Sequence, residues 1–186
     1  MKTEVQNAYD SLKQGKLLLY PTDTVWGIGC DATNYKAIEK IFQLKKRQES
    51  KSMICLVSDL NMLSQYVAHI PEAAYAILKY ADKPTTIIYN DPINVAENLI
   101  SNDNTLAIRI VKDDFCQKLI KKLKRPLVST SANISGQPSP RSFKEIHHDI
   151  LKGVDYIVNL HRDKKSSNPS SIIKLGNDGT VKIIRE

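Results

Sequence analysis

Long apolar runs are missing from this 186-residue sequence. None approaches the roughly 20 residues that a bilayer-spanning helix needs, so no membrane partner is expected. The N-terminus, MKTEVQNAYDSLKQGK, lacks the apolar centre of a secretory signal and has the spacing of an amphipathic helix instead. Cysteine is scarce: Cys30, Cys55 and Cys116 are odd in number and far apart. That pattern fits neither a disulfide framework nor a zinc site, and it points to a reduced, cytoplasmic setting. Aromatic residues make up 6% of the chain, too few for the stacking platform of a single-strand RNA binder. The sequence contains no G-x-x-x-x-G-K-[ST] phosphate loop, no H-E-x-x-H and no G-x-S-x-G. His69, His147, His148 and His161 are scattered, so no metal site is expected. Internal repeats and low-complexity stretches are absent too.

What remains is an ordinary globular composition, 41% hydrophobic and 25% charged, with a formal net charge of +7. A chain of this length suits one domain, 1–186. The positive balance suits an anionic partner, whether nucleotide, nucleic acid or phosphate; a solvated basic surface gives the same sum.

Periodicity orders the elements. Val5, Ala8, Tyr9 and Leu12 recur at helical spacing before Gly15. A strand follows over 16–20, then a helix capped by Asn34 with Ala37, Ile38, Ile41 and Phe42 on its inner face. Strands are predicted at 52–57, 85–89, 105–111, 126–129 and 154–159, and helices at 59–67, at 71–81 and from Asp113 or Asp114 to Lys124. Ser142 and Glu145 form a capping-box pattern for a helix to Lys152. Ser171–Leu175 and Val181–Arg185 flank NDGT, a hairpin signal, and 163–169 reads as a mobile polar loop. Helices alternate with strands, but some strands are hairpin neighbours. The fold class is therefore α+β with α/β-like layering, a twisted mixed sheet with flanking helices.

Four stretches carry chemical interest. LYPTDTVWG ends a buried strand in small polar groups beside the only tryptophan; Trp26 is either a ligand wall or plain core. STSANISGQPSP concentrates hydroxyls and amides after a strand, where loop N–H groups cradle phosphates, although turn formers in a surface loop look the same. LKKRQESK closes a helix with cations, which favour a helix C-terminus in any case. Turned inward, one such cation about 4 Å from a phosphate is worth roughly 4 kcal/mol, against about 1 in water. GIGCDA matches a dinucleotide fingerprint only loosely, since 31–34 reads as a connection rather than the start of a helix.

Taken in order, YPTDTVWGIG, Lys45-Lys46-Arg47, TLAIRI, STSAN-x-SG-x-PSP and PSSII resemble the YrdC-like family of threonylcarbamoyl-adenylate synthases from Tyr20 to Arg185. The K-x-R and S-x-N pairs are both present, the latter as Ser131 and Asn133. The resemblance implies a YrdC-like sheet around a large basic cavity, and a reaction of L-threonine, bicarbonate and ATP to threonylcarbamoyl-AMP and pyrophosphate. Mg2+ accompanies the ATP. The product is the donor for t6A modification beside the tRNA anticodon, transfer being the work of other proteins downstream. Carried over position by position, Thr24, Arg109, Ser131 and Ser170 contact the threonine. Lys45, Arg47, Lys51, Thr105, Asn133, Arg141 and Arg185 serve ATP and the carbamate, with Lys45 and Arg47 catalytic.

The chain also departs from the family. KKRQESKSM lacks the two prolines usual after K-x-R, and ADKPTTI stands where W-P-G-P-x-T is common. Leu56 occupies the position of a histidine found in some members. Longer members carry a second domain, and the chain resembles the single-domain form. Two alternatives stay open: a paralogue with related nucleotide-dependent carbamoyl chemistry, and weak tRNA or RNA binding carried by the basic charge alone.

Overall fold

The computed structural model describes residues 1–46, 53–166 and 168–186. In chain order the elements are α1 (Lys2–Lys13), β1 (Leu18–Tyr20), β2 (Gly27–Gly29), α2 (Tyr35–Lys45), β3 (Ile54–Val57), α3 (Leu60–Leu63) and α4 (Glu72–Tyr80). After them come β4 (Thr85–Asn90), β5 (Thr105–Ile110), α5 (Asp114–Leu123), β6 (Leu127–Ser131), α6 (His148–Gly153), β7 (Tyr156–Ile157), β8 (Ser171–Leu175) and β9 (Val181–Arg185). The caps are local. Asn34 accepts the Ala37 N–H at 3.1 Å to start α2, and Asp113 accepts that of Cys116 at 2.9 Å to start α5. Among the described residues no helix is long and apolar enough to cross a membrane.

The strands form one mixed sheet in the order β7-β1-β2-β6-β3-β5-β4-β8-β9. β1–β7, β3–β5 and β4–β8 are parallel; the other five neighbours are antiparallel. Side chains alternate between two cores. Leu17, Leu19, Cys55 and Val57 join Ile38, Ile41 and Phe42 of α2 on one face. Leu18, Tyr20, Leu56 and Leu127 meet Ala8 and Leu12 of α1 and Phe115 and Leu119 of α5 on the other. Leu56 is thus a core residue beneath α5.

Three expectations change. β2 is a strand that periodicity did not reveal, because it is two glycines around one isoleucine. A Cβ on Gly29 would lie 2.1 Å from the Val128 carbonyl and 2.8 Å from the Tyr20 ring, so this glycine serves close packing between β1 and β6 and not a dinucleotide. The helix expected over 59–67 stops at Leu63, since the Tyr66 carbonyl accepts from the Ile93 N–H at 3.0 Å and Val67 bridges to Pro92. Ser142 makes no capping bond. Glu145 accepts the Arg141 N–H at 2.8 Å, and a 3-10 turn at Phe143–Glu145 precedes the short α6.

Candidate active site

The sheet face that packs on α1 and α5 opens, beyond Leu56 and Leu127, into a cavity of about 220 Å³. Register builds it. Ser129 pairs with Ile54, Arg109 with Leu56, and Ser131 with Gly27, so strand tips from β3, β5 and β6 share one surface. The β1–β2 connection and the 169–172 segment complete the wall.

The β1–β2 connection folds on its own hydroxyls. Thr22 donates to the Val25 carbonyl at 2.8 Å and accepts the Thr24 N–H at 3.0 Å. Its single proton is thereby used, so in the 2.9 Å contact between the two threonine hydroxyls Thr24 is the donor. The Thr24 oxygen, at the cavity wall, keeps lone-pair capacity toward Arg109 Nη2 at 3.5 Å. Arg109 is 3% exposed. Its Nη1 donates to Asp23 Oδ1 at 2.7 Å, while its buried Nε has no hydrogen-bond partner among the described residues. A buried guanidinium N–H without an acceptor is a standing cost of about 1–3 kcal/mol. Because the group lines a cavity, a ligand acceptor there removes that cost.

Across the cavity Ser170 shares a 2.8 Å hydroxyl contact with Thr86, and its carbonyl accepts Nε and Nη2 of Arg185 at 2.9 and 2.7 Å. Burial first, and then the like charge of Arg109, lower the pKa of Arg185. Two guanidiniums therefore give this hollow a positive potential.

Behind the Ser131 wall lies a second arrangement. Lys45, the last residue of α2, is 1% exposed. Its ammonium donates to the carbonyl of Ser131, to that of Asn133 at 2.5 Å and to Asn133 Oδ1 at 3.4 Å. Ser131 Oγ also donates to Asn133 Oδ1, and Asn133 Nδ2 donates to the carbonyls of Ile134 and Gln137 at 3.1 and 2.6 Å. The Ser135 N–H returns to the Lys45 carbonyl at 2.9 Å. The S-x-N spacing thus makes one amide the hub of the loop, clasped to the end of α2.

Thr24, Arg109, Ser131, Ser170 and Arg185 come together on the cavity surface. Lys45 and Asn133 meet each other behind it and do not line it. Thr105 and Arg141 are not brought to it. The Thr105 hydroxyl, four residues back along β5 from Arg109, is held by Asp103 at 2.9 Å and Ser101 at 2.8 Å, and Arg141 is exposed. Arg47 and Lys51 lie outside the described residues. Trp26 packs on Phe143 at 5.0 Å between ring centroids and is 3% exposed, which is its core role. It borders a smaller cavity of about 60 Å³ that shares Thr24 and Val25. Sequence reasoning missed Asp23, Thr86, Ser129 and Ser139. Ser129 was legible from the two-residue period it shares with Ser131; Asp23 had no signal beyond its place beside Thr24.

A family model described as telomere recombination, Sua5/YciO/YrdC, matches residues 10–186. The chain belongs to the Sua5/YciO/YrdC family. A Methanocaldococcus jannaschii relative is 35% identical over 170 residues, covering 91% of this chain and 79% of the relative. The threonylcarbamoyl-AMP synthase of Idiomarina loihiensis is 31% identical over 169 residues, covering 89% and 90%. Among solved structures, P. abyssi Sua5 complexed with L-threonine superposes with a TM-score of 0.86 at 26% identity and 97% coverage of this chain. The chain spans 53% of that longer Sua5 protein. The mixed sheet with flanking helices is the Sua5/YciO/YrdC fold.

Proposed function

We propose that this chain is an L-threonylcarbamoyladenylate synthase. It converts L-threonine, bicarbonate and ATP to threonylcarbamoyl-AMP and pyrophosphate in the cytoplasm, as one YrdC-like domain. The observation that carries the reading is the buried Arg109 guanidinium, with an unpartnered Nε on a hydroxyl-lined cavity. A carboxylate is the acceptor that such an edge binds best, through two parallel N–H···O bonds. Thr24, Ser131 and Ser170 then face the amino acid's amine and hydroxyl. At about 220 Å³ the cavity falls below the roughly 300 Å³ of small cofactor sites, so it holds the amino acid, and the nucleotide extends beyond it.

The chemistry follows from the potential. The attacking amine must be neutral, and the field of Arg109 and Arg185 disfavours an ammonium. The amine nitrogen bonds to the carbon of CO2 and loses a proton, giving a carbamate; with bicarbonate the C–OH bond breaks and that hydroxyl leaves with the amine proton as water. A carbamate oxygen attacks the α-phosphorus, and pyrophosphate leaves. The nucleophile is the substrate's own, so the protein contributes position and charge stabilisation. We assign Arg185 to the growing negative charge, joined by Arg47 and Lys51 of the segment after α2. Lys45 and Asn133 act on this step through the Ser131 loop. Mg2+ bound with ATP would supply charge neutralisation at the phosphates, beside the cations assigned to them. The product then serves other proteins that modify tRNA.

Pyrophosphate release measured with ATP and bicarbonate, with and without each amino acid, tests the reading. Release that depends on L-threonine is expected. Release indifferent to the amino acid overturns it in favour of a paralogue.

A further inference from the structure

Arg109 is unusual in being held from one side only. Asp23 Oδ1 takes Nη1 at 2.7 Å, Nη2 has only the 3.5 Å contact to Thr24, and Nε has no partner among the described residues. A planar guanidinium gripped at Nη1 keeps its Nε/Nη2 edge for another acceptor, and Arg109 lines the cavity. Asp23 is itself tethered, since its Oδ2 accepts from the Lys112 N–H at 3.4 Å, just past the end of the strand that carries Arg109. The grip and the gripped residue therefore share one frame, β5 and its exit. The contact is largely shielded from water, the two side chains being 4% and 18% exposed.

We infer that Asp23 is a positioning residue for the amino-acid carboxylate: it fixes the rotamer of Arg109 so that the Nε/Nη2 edge receives a single carboxylate side-on. This rests on the synthase reading. Its role is geometric as well as electrostatic. Its negative charge offsets that of Arg109 and so limits the repulsion between Arg109 and Arg185 in the empty hollow. Charge alone predicts that removing Asp23 strengthens carboxylate binding, because the net positive potential rises. Orientation predicts the opposite, because a guanidinium released at Nη1 no longer presents two aligned N–H bonds. The two accounts differ in sign, which makes the inference testable.

The experiment is steady-state pyrophosphate release by the wild type, Asp23→Ala and Asp23→Asn, with KM for L-threonine and for ATP measured separately and thermal melts to confirm folding. Asparagine keeps an acceptor oxygen for Nη1 but no charge. Asp23→Ala is expected to raise KM for threonine about 10- to 100-fold, the loss of one oriented charge-assisted contact. KM for ATP and kcat at saturating threonine should stay within about threefold, and Asp23→Asn should recover most of the loss. An unchanged or lowered KM for threonine, parallel rises in both KM values, or an asparagine variant no better than alanine overturns the assignment. If the alanine variant does not fold, Asp23→Glu replaces it. The extra methylene displaces the carboxylate, so a threonine KM raised at least about tenfold supports the assignment and an unchanged one overturns it. The wild type separates the two readings: no threonine-dependent release in wild type removes the synthase reading, whereas normal wild-type release with unaltered variants removes only the role of Asp23.

Discussion

Replacing Lys45 by methionine tests how the Ser131 loop is held. Methionine keeps the length and apolar stem but removes the ammonium. The carbonyls of Ser131 and Asn133 and the Asn133 amide oxygen then lose a buried donor. The Ser131 carbonyl keeps the Asn133 N–H at 2.9 Å and Asn133 Oδ1 keeps the Ser131 hydroxyl, so the Asn133 carbonyl is the acceptor that loses its described donor. One such carbonyl costs about 1–3 kcal/mol, and relief of the buried charge offsets part of it, so a net loss of about 1–2 kcal/mol results. For a chain of this size that lowers Tm by about 3–6 °C. Thermal and urea unfolding followed by far-UV circular dichroism read the change, and the urea slope should not move, since no change in exposed area is involved. Lys45→Arg should recover part of the loss. A Tm within about 1 °C of wild type refutes the argument. A Lys45 ammonium lying in the cleft would be dispensable for folding, whereas one that is 1% exposed and holds the Ser131 loop is not; the melt distinguishes the two.

Gly29→Ala should cost at least about 3 kcal/mol in urea unfolding, because its Cβ falls 2.1 Å from the Val128 carbonyl, while Gly27→Ala, 3.2 Å from Ser129 Oγ, should cost clearly less. Equal costs refute the packing account of these glycines. The Asp103 carboxyl is held well below the usual carboxylate range, first by the Lys174 ammonium at 2.5 Å and then by Ser101 and Thr105. A depressed value adds stability above the unfolded pKa of about 3.9 and loses it as pH falls through the folded value. The Tm gap between wild type and Asp103→Asn should therefore be full above about pH 5 and shrink progressively on further acidification. A gap independent of pH contradicts the ion-pair reading.

The fold was legible where a local signal exists. Asn34 and Asp113 announce their helices because a capping side chain needs only the next three residues. NDGT announces the β8–β9 hairpin, with Gly179 at φ +85°. β2 was illegible because its glycines answer to Tyr20 and Val128, which are distant in sequence. The site divides in the same way. Family resemblance brought Thr24, Arg109, Ser131, Ser170 and Arg185 into view, and they share the cavity. Which side of the loop Lys45 approaches, and that Asp23 grips Arg109 across 86 positions, depend on tertiary register that no local pattern encodes.

The most direct test of the central claim, that Arg109 offers its free edge to the carboxylate of an amino acid, uses the unaltered protein and two ligands. Calorimetric titration with L-threonine should give saturable binding. L-Threoninol, in which the carboxylate is replaced by an alcohol, should bind at least about tenfold more weakly, the loss of one charge-assisted contact. Equal affinity for the two ligands, or no binding of threonine, contradicts the account.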